Sequence, residues 1–552
     1  MSTALEAASL IMIPTSYSDG LLASVKPNDG AGDFTFSRGS NISATRVNAD
    51  GYIEKGYENL LLQSNSFSTS PWGPVRASIT SGQAGYDGSN DAWLLESTDG
   101  TLTSLVKQDI NLTGVKTISI YAKSNTANWI LLYAIGGSLD SWFDVQNGAT
   151  GGKGSGAISS FIESVGNDWW RCSVTTSNSI TDFRIYVTDA NNSFNSVLGS
   201  SVYIQDAMLN QGMVAYPYVE TTTAPVASGI LEDTPRIDFS GGNQSLLLEP
   251  SRTNLWINSE YLSPAKAQNT GSSVIQNTTE TLSPEGLYNA SKFSGVGGFW
   301  LWRDFLAVQN VTSTISCYVK AVTSGVNNTF RLSIAGQSSA DLTATDEWQR
   351  FSYTALGTAQ ATGLLRDSSG NDADLYIYGF QAEQDATYPT SYIPTYGVSQ
   401  TRLADAANNA VANTSGNYWT LFIDYANFNN GGVSGDDSII FKDSSNAVIF
   451  RLWGLNGFTI RSFSGDSNGR YYSSNQFGLE AKAIVRYDGT EIGLFLNGVK
   501  QTISSPSPLE SSWNQLYKVD KLQAADNKYN FNQMLVFPTA LSDEACIELT
   551  TI

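Results

Sequence analysis

The sequence predicts an all-β chain of tandem sandwich (jelly-roll) domains, and three observations carry that expectation. Composition is the first. The 552 residues include 49 glycines, 26 tyrosines and 24 phenylalanines, while charged residues are only 15%. Aromatic side chains favour strands and glycine favours tight turns. The second is spacing: short alternating runs recur every 8 to 12 residues or so between Gly, Asn, Asp and Ser clusters, the signature of a sandwich. The third is duplication, because one long pattern occurs twice in the same order.

The first copy opens on Asn59-Leu-Leu-Leu-Gln-Ser and the second on Asn254-Leu-Trp-Ile-Asn-Ser. Each then carries an alternating strand, Ile118-Ser-Ile-Tyr-Ala-Lys123 against Ile315-Ser-Cys-Tyr-Val-Lys320. Each has a Trp-x-Arg strand, Trp169-Trp-Arg171 against Trp348-Gln-Arg350. Each closes on a Tyr-Pro turn, Tyr216-Pro217 against Tyr388-Pro389. A unit of roughly 150 residues has the size of a domain, and is too long for a solenoid repeat.

In chain order, residues 1–56 read as a small N-terminal anchoring segment. Thr3 to Ala8 suits a turn or two of helix, Asp33-Phe-Thr-Phe-Ser-Arg38 alternates as a strand, and Ala44 to Asn48 is a second strand. Too small to hold much core alone, this segment is expected to pack on the first copy or on a neighbouring chain. Residues 57–224 form the first sandwich, with Gly148 to Gly156 read as a surface loop. Residues 225–250 are a linker and 251–398 the second sandwich. Residues 399–552 differ in kind. Asp488-Gly489 and Asn497-Gly498 suit the positive φ of hairpin turns. Ser542 followed by Asp543 and Glu544 suits the start of a final helix.

Three stretches resemble known families. Ile13-Pro-Thr-Ser-Tyr17, Asp33 to Arg38, Ala44 to Asn48 and Ser245-Leu-Leu-Leu-Glu-Pro-Ser-Arg-Thr-Asn254 resemble a formula of bacteriophage virion proteins, where it precedes sandwiches like carbohydrate-binding modules. Tyr388-Pro-Thr-Ser-Tyr-Ile-Pro-Thr395, followed by Thr401-Arg-Leu-Ala-Asp405, is similar to a closing phrase of such modules. From Tyr418 onward, Tyr487-Asp-Gly, Leu496-Asn-Gly-Val and Phe537-Pro-Thr-Ala-Leu-Ser-Asp-Glu544 resemble a laminin-G-like or concanavalin-like jelly roll. The resemblance implies a non-enzymatic structural protein of a phage particle, a tail fibre, head fibre or receptor-binding appendage displaying its modules toward host-surface polysaccharide. It implies other virion proteins as partners through the N-terminal segment, a place on the virion surface, and a homo-oligomer, commonly a trimer. A capsid decoration protein that reinforces the shell is the alternative, and a carboxylate-dependent glycan-cleaving enzyme the second.

Charge and residue types narrow the chemistry. A net charge of −20 without a long basic run repels polyanions, so nucleic acid is not an expected partner. No run approaches the ~20 apolar residues of a membrane span, and membrane insertion is not expected. No positive residue precedes Leu10-Ile-Met-Ile13, so synthesis in the host cytoplasm without a signal peptide is the expectation. The chain has no histidine, which excludes a Ser-His-Asp triad or a His-ligated zinc site built from its own residues. Cys172, Cys317 and Cys546 are widely spaced, odd in number, and read as small buried residues.

Sugar binding needs exposed rings against which apolar sugar faces stack. Trp300 and Trp302 share one strand face, with Phe299 and Leu301 on the other, and are candidates against the alternative of core packing. Tyr471 and Tyr472, on a turn-rich stretch, are the second candidate pair. Trp169 and Trp348 recur in both copies and read as core, with Arg171 and Arg350 hydrogen-bonding or stacking beside them. No cofactor is expected. Calcium is the one metal considered, at Asp436 and Asp437 or between Asp367 and Asp374, where loop carboxylates are present without EF-hand spacing. Glu96, Glu260, Glu383 and Glu480 are isolated, so no carboxylate pair marks a hydrolase.

Overall fold

A computed structural model describes residues 2–14, 17–18, 21–263, 267–268, 271–302, 309–360, 363–411, 418–426, 438–442, 448–454, 458–462, 471–474, 480–502, 518–523 and 528–551. The chain is an all-β protein whose antiparallel sheets pair as sandwiches. Helix among the described residues is confined to Ser2–Ala7 and Asp543–Thr550. Ser542 caps the second helix, its Oγ accepting from the Ala545 amide at 3.2 Å.

The first sandwich shows why alternation becomes two layers. Its long central strand Lys116–Ser124 lies between Trp169–Thr176 and Ser201–Gln211. Ile118, Ile120, Cys172, Val174 and Ile204 face inward from this sheet. Val106, Ile130, Leu132, Phe143 and Ile185 meet them from the other. Each such side chain, fully buried, contributes roughly 1.5–3 kcal/mol. The second sandwich repeats the plan. Thr312–Ala321 lies between Gln349–Leu356 and Ala373–Gln384, and Ile315, Cys317, Val319 and Ile377 face Phe330, Leu332 and Leu365. Both copies bulge at the same place. Asp206 and Ala207 stand opposite Ile120, and Gly379 and Phe380 opposite Cys317. The first bulged residue has positive φ in each case, 55° at Asp206 and 64° at Gly379, which is the left-handed geometry that starts such a bulge.

The third sandwich departs from the expected division of the chain. Leu10–Met12 and Ser245–Leu248 both pair with Tyr529–Phe537, while Phe34–Ser37 pairs with Ala406–Val411. Leu10, Met12, Phe34, Phe36, Leu246 and Leu248 thereby share one core with Trp419, Leu421, Val485 and Val536. Leu10–Met12, Phe34–Ser37 and Ser245–Leu248 are thus strands of this sandwich, where the segment 1–56 was expected to pack on the first copy or a neighbouring chain and 225–250 to be a linker. Their apolar faces are too small for a core of their own, so they are buried where sheet edges are open. Thr45–Val47 and Ile53–Lys55 pair with each other, and Val226–Ser228 pairs with Tyr57–Asn59. A second difference lies at Gly148 to Gly156. Ala149–Lys153 is an edge strand on Leu139–Asp144, not a loop. A Cβ at Gly151 or Gly152 would lie 2.3 Å or 1.8 Å from the Asn191 or Asn192 side-chain oxygen, so glycine here lets a neighbouring loop close on the edge.

Buried charge joins the parts. Lys55 Nζ lies 2.5 Å from Glu260 and 2.6 Å from Glu285, with the rings of Tyr216 and Tyr396 at 5.1 and 5.5 Å. These residues come from the N-terminal segment and both copies. Cys172, Cys317 and Cys546 are buried free thiols, and burial pushes Cys546 up to about 11.

Candidate glycan-contact surfaces

The outward faces of the two related sandwiches carry the chemistry. In the second, strand Trp300–Trp302 pairs with Leu364–Asp367. Phe299 and Leu301 turn into the core, leaving Trp300 44% exposed and Trp302 half-buried on the other face. The Arg366 guanidinium sits 6.0 Å from the Trp300 ring. This face therefore presents one open indole beside one cation. Tyr471 and Tyr472 belong to a strand, Tyr471–Ser474, paired with Phe458–Ser462, rather than to a turn. The alternation of Phe458-Thr-Ile-Arg-Ser462 extends the sheet to that point; the two tyrosine side chains lie outside the described residues, as do Asp436 and Asp437.

The second acidic stretch uses its carboxylates internally. Asp367 accepts from the Gly370 amide at 2.6 Å, Asp372 from Gly297 at 2.7 Å and Asp374 from the Ser294 hydroxyl at 2.7 Å. Among the described residues no group of three or more Asp, Glu, Cys or His is arranged to hold a metal.

The two repeated Trp residues have separate fates. Trp169 is buried under Tyr86, Tyr121, Tyr203 and Tyr218, with Tyr86 stacked on Tyr121 at 4.0 Å. Burial pushes the nearby Asp206 carboxyl up to about 7; the Tyr86 hydroxyl, donating at 2.9 Å, works against that shift, and the charges of Asp91 and Asp87 add to it. Trp348 is half-buried, and its Nε1 donates to the Leu282 carbonyl at 2.8 Å. Arg171 and Arg350 lie over Tyr121 and Tyr318 at 5.3 and 5.5 Å.

One recess of about 400 Å³ lies between the two copies, at residues the sequence did not single out except Arg171 and Pro217. From the first copy it takes Phe161, Glu163 and Arg171 on adjacent strands; from the second, Asn277, Leu282 and Tyr288. Phe161 is 42%, Leu282 39% and Tyr288 41% exposed. Arg171 is held by the Tyr216 carbonyl and the Ser119 hydroxyl, and its Nη1 lies 4.0 Å from Glu163. Asn277, at φ 47°, donates to the Met213 carbonyl at 2.6 Å and to Ser159 Oγ at 2.9 Å. Its buried Oδ1 has no partner among the described atoms. Apolar platform and hydroxyl-binding groups thus share one recess.

No family model matches the chain, and no curated protein matches it. Among solved structures, the N-terminal CBM22-1–CBM22-2 tandem domain of Paenibacillus barcinonensis Xyn10C aligns with 59% of this chain and 97% of its own length. Identity is 10% and the TM-score 0.19. The sandwich fold stands on the strand pairing described above, not on that alignment.

Proposed function

We propose that this chain is a non-enzymatic structural component of a bacteriophage particle whose sandwiches contact host-surface glycans. The observation that carries the glycan reading is the recess between the two copies. It sets Phe161, Leu282 and Tyr288 beside Arg171, Glu163 and Asn277 in about 400 Å³, within the usual size of a ligand site. Rings take the apolar sugar faces; carboxylate, amide and guanidinium take the hydroxyls. The open Trp300 offers a second stacking surface. With a net charge of −20, a neutral polysaccharide fits better than an acidic one. The phage setting is supported by the sequence formulae in residues 13–48 and 245–254.

Attachment to other virion proteins through the N-terminal segment would use its outer surface, where Leu21 and Val25 are 42% and 55% exposed, because its inward faces are committed to the third sandwich. A homotrimer on the virion surface follows from the same resemblance and is read out by sedimentation equilibrium. The full chain should bind purified, neutral cell-surface polysaccharide of the bacterial host without generating new reducing ends. The double variant Phe161→Ala/Tyr288→Ala should weaken binding at least about tenfold at unchanged melting temperature, a loss of about 1.4 kcal/mol. New reducing ends would turn the reading to a hydrolase. Absence of binding by the unaltered chain would favour shell reinforcement.

A further inference from the structure

We infer a separate saccharide pocket on the third sandwich, sized for a single neutral sugar residue. Its cavity is about 280 Å³, just under the span of drug-sized sites. Polar groups line it beside the apolar surface of Tyr425, Ala426 and Ala481: Asn243 and Ser245 from the connector hairpin, Asp424 near the end of strand Trp419–Ala426, Lys482 on the next strand, and Asn530 and Asn532. A local irregularity assembles it. Asp424 pairs with Gln533 and Tyr425 with Phe531, so Asn532 is the extra residue of a bulge. Bulges re-aim side chains and cluster beside functional sites. Here the bulge sets Asn532 Nδ2 donating to Asp424 Oδ1 at 2.9 Å. Asn530 is braced in turn, its Nδ2 donating to Ser245 Oγ at 2.7 Å. Lys482, a lining residue, is braced by its Nζ donating to the Thr551 carbonyl at 3.1 Å.

An ionised carboxylate accepts only, an ammonium donates only, and each amide does both. That set matches neighbouring hydroxyls of a pyranose, each of which donates and accepts. One carboxylate and one ammonium leave the pocket formally neutral, which disfavours a sulfated or uronic sugar. The pocket shares no residue with the recess between the first two sandwiches, so the two readings fail separately.

The test titrates glucose, galactose, N-acetylglucosamine and rhamnose, each up to about 50 mM, into the full chain, by saturation-transfer NMR and calorimetry. At least one should bind with a Kd of about 1 mM. Asp424→Asn, which keeps the side-chain shape, should weaken that binding at least about tenfold. Asn243→Ala, at an exposed position on the hairpin turn, should weaken it with no change in melting temperature. Phe161→Ala/Tyr288→Ala should leave it unchanged. Silence from all four sugars, binding indifferent to both pocket variants, or loss only in the recess variant would each overturn the assignment.

Discussion

At the scale of single residues, two buried asparagines explain why the same phrase opens both copies. Asn59 donates to the Ala207 and Val219 carbonyls at 3.1 and 2.8 Å and accepts from the Leu61 and Leu209 amides. Asn254 repeats every bond, to Phe380 and Ile393 at 3.0 and 2.8 Å, and from Trp256 and Ala382. Each side chain thus ties the opening of a sandwich to its last long strand and closing tail. Asn254→Ala leaves four buried backbone groups without their partner, each costing about 1–3 kcal/mol where water cannot replace it. A net loss of about 3 kcal/mol is expected, read from chemical denaturation, and Asn254→Asp should not restore it because a carboxylate cannot donate to the two carbonyls. A loss below about 0.5 kcal/mol would mean that the clamp is ornamental. The phrase was visible in the sequence, but its purpose was not, because the bonded partners lie 126 and 139 residues away. The same limit hid Asn277, whose partners are 118 and 64 residues distant. Trp300 was legible because period-two alternation is local.

At the scale of elements, the N-terminal strands are the informative ones. Phe34-Thr-Phe-Ser37 alternates buried and exposed as its sequence predicts. What the alternation could not disclose was the partner strand, Ala406–Val411, some 370 residues on. Strand type follows from local pattern, whereas pairing between distant edges depends on which edge remains open after the rest has folded. The consequence is measurable. Deleting residues 1–56 removes Leu10, Met12, Leu22, Phe34 and Phe36 from the core around Trp419. The truncated chain should therefore lose the third sandwich while the first stays folded. Limited proteolysis should cut the truncated chain after residue 399 and spare residues 60–220. Equal resistance of the third sandwich with and without the segment would show that those strands are dispensable. The edge strand Ala149–Lys153 was missed for the opposite reason: its glycines mimic a loop, and the close approach of Asn191, Asn192 and the Trp129 ring explains them.

At the scale of the molecule, a buried charge cluster decides whether the sandwiches act as one body. Arg236 bonds Glu249 at 2.8 Å and also Asp405; Arg402 reaches Glu249 at 3.1 Å and Arg38 reaches Asp405 at 3.1 Å, with no side chain exposed. The groups come from the N-terminal segment, the connector and the stretch after the second sandwich. Burial alone would raise the Glu249 carboxyl, but Arg402 and Arg236 outweigh it and hold it well below the usual carboxylate range. Burial likewise lowers Arg38 to about 10, against the pull of Asp405. Because Glu249 binds its proton less readily folded than unfolded, its contribution is complete above the ordinary carboxylate pKa of ~4.3 and is lost as pH falls below it. Glu249→Gln removes one of two carboxylates facing three guanidinium groups, leaving buried positive charge uncompensated, a change that costs about 3–5 kcal/mol. Calorimetry of the unaltered chain at pH 7 should show the second and third sandwiches melting together. The variant should melt them apart at pH 7, and the unaltered chain should come to resemble it only as pH falls well below ~4, through the depressed range of the folded Glu249 carboxyl. If the variant keeps a joint transition at pH 7, the cluster is a local feature, and the rigid display of recess and pocket on one body must rest on other contacts.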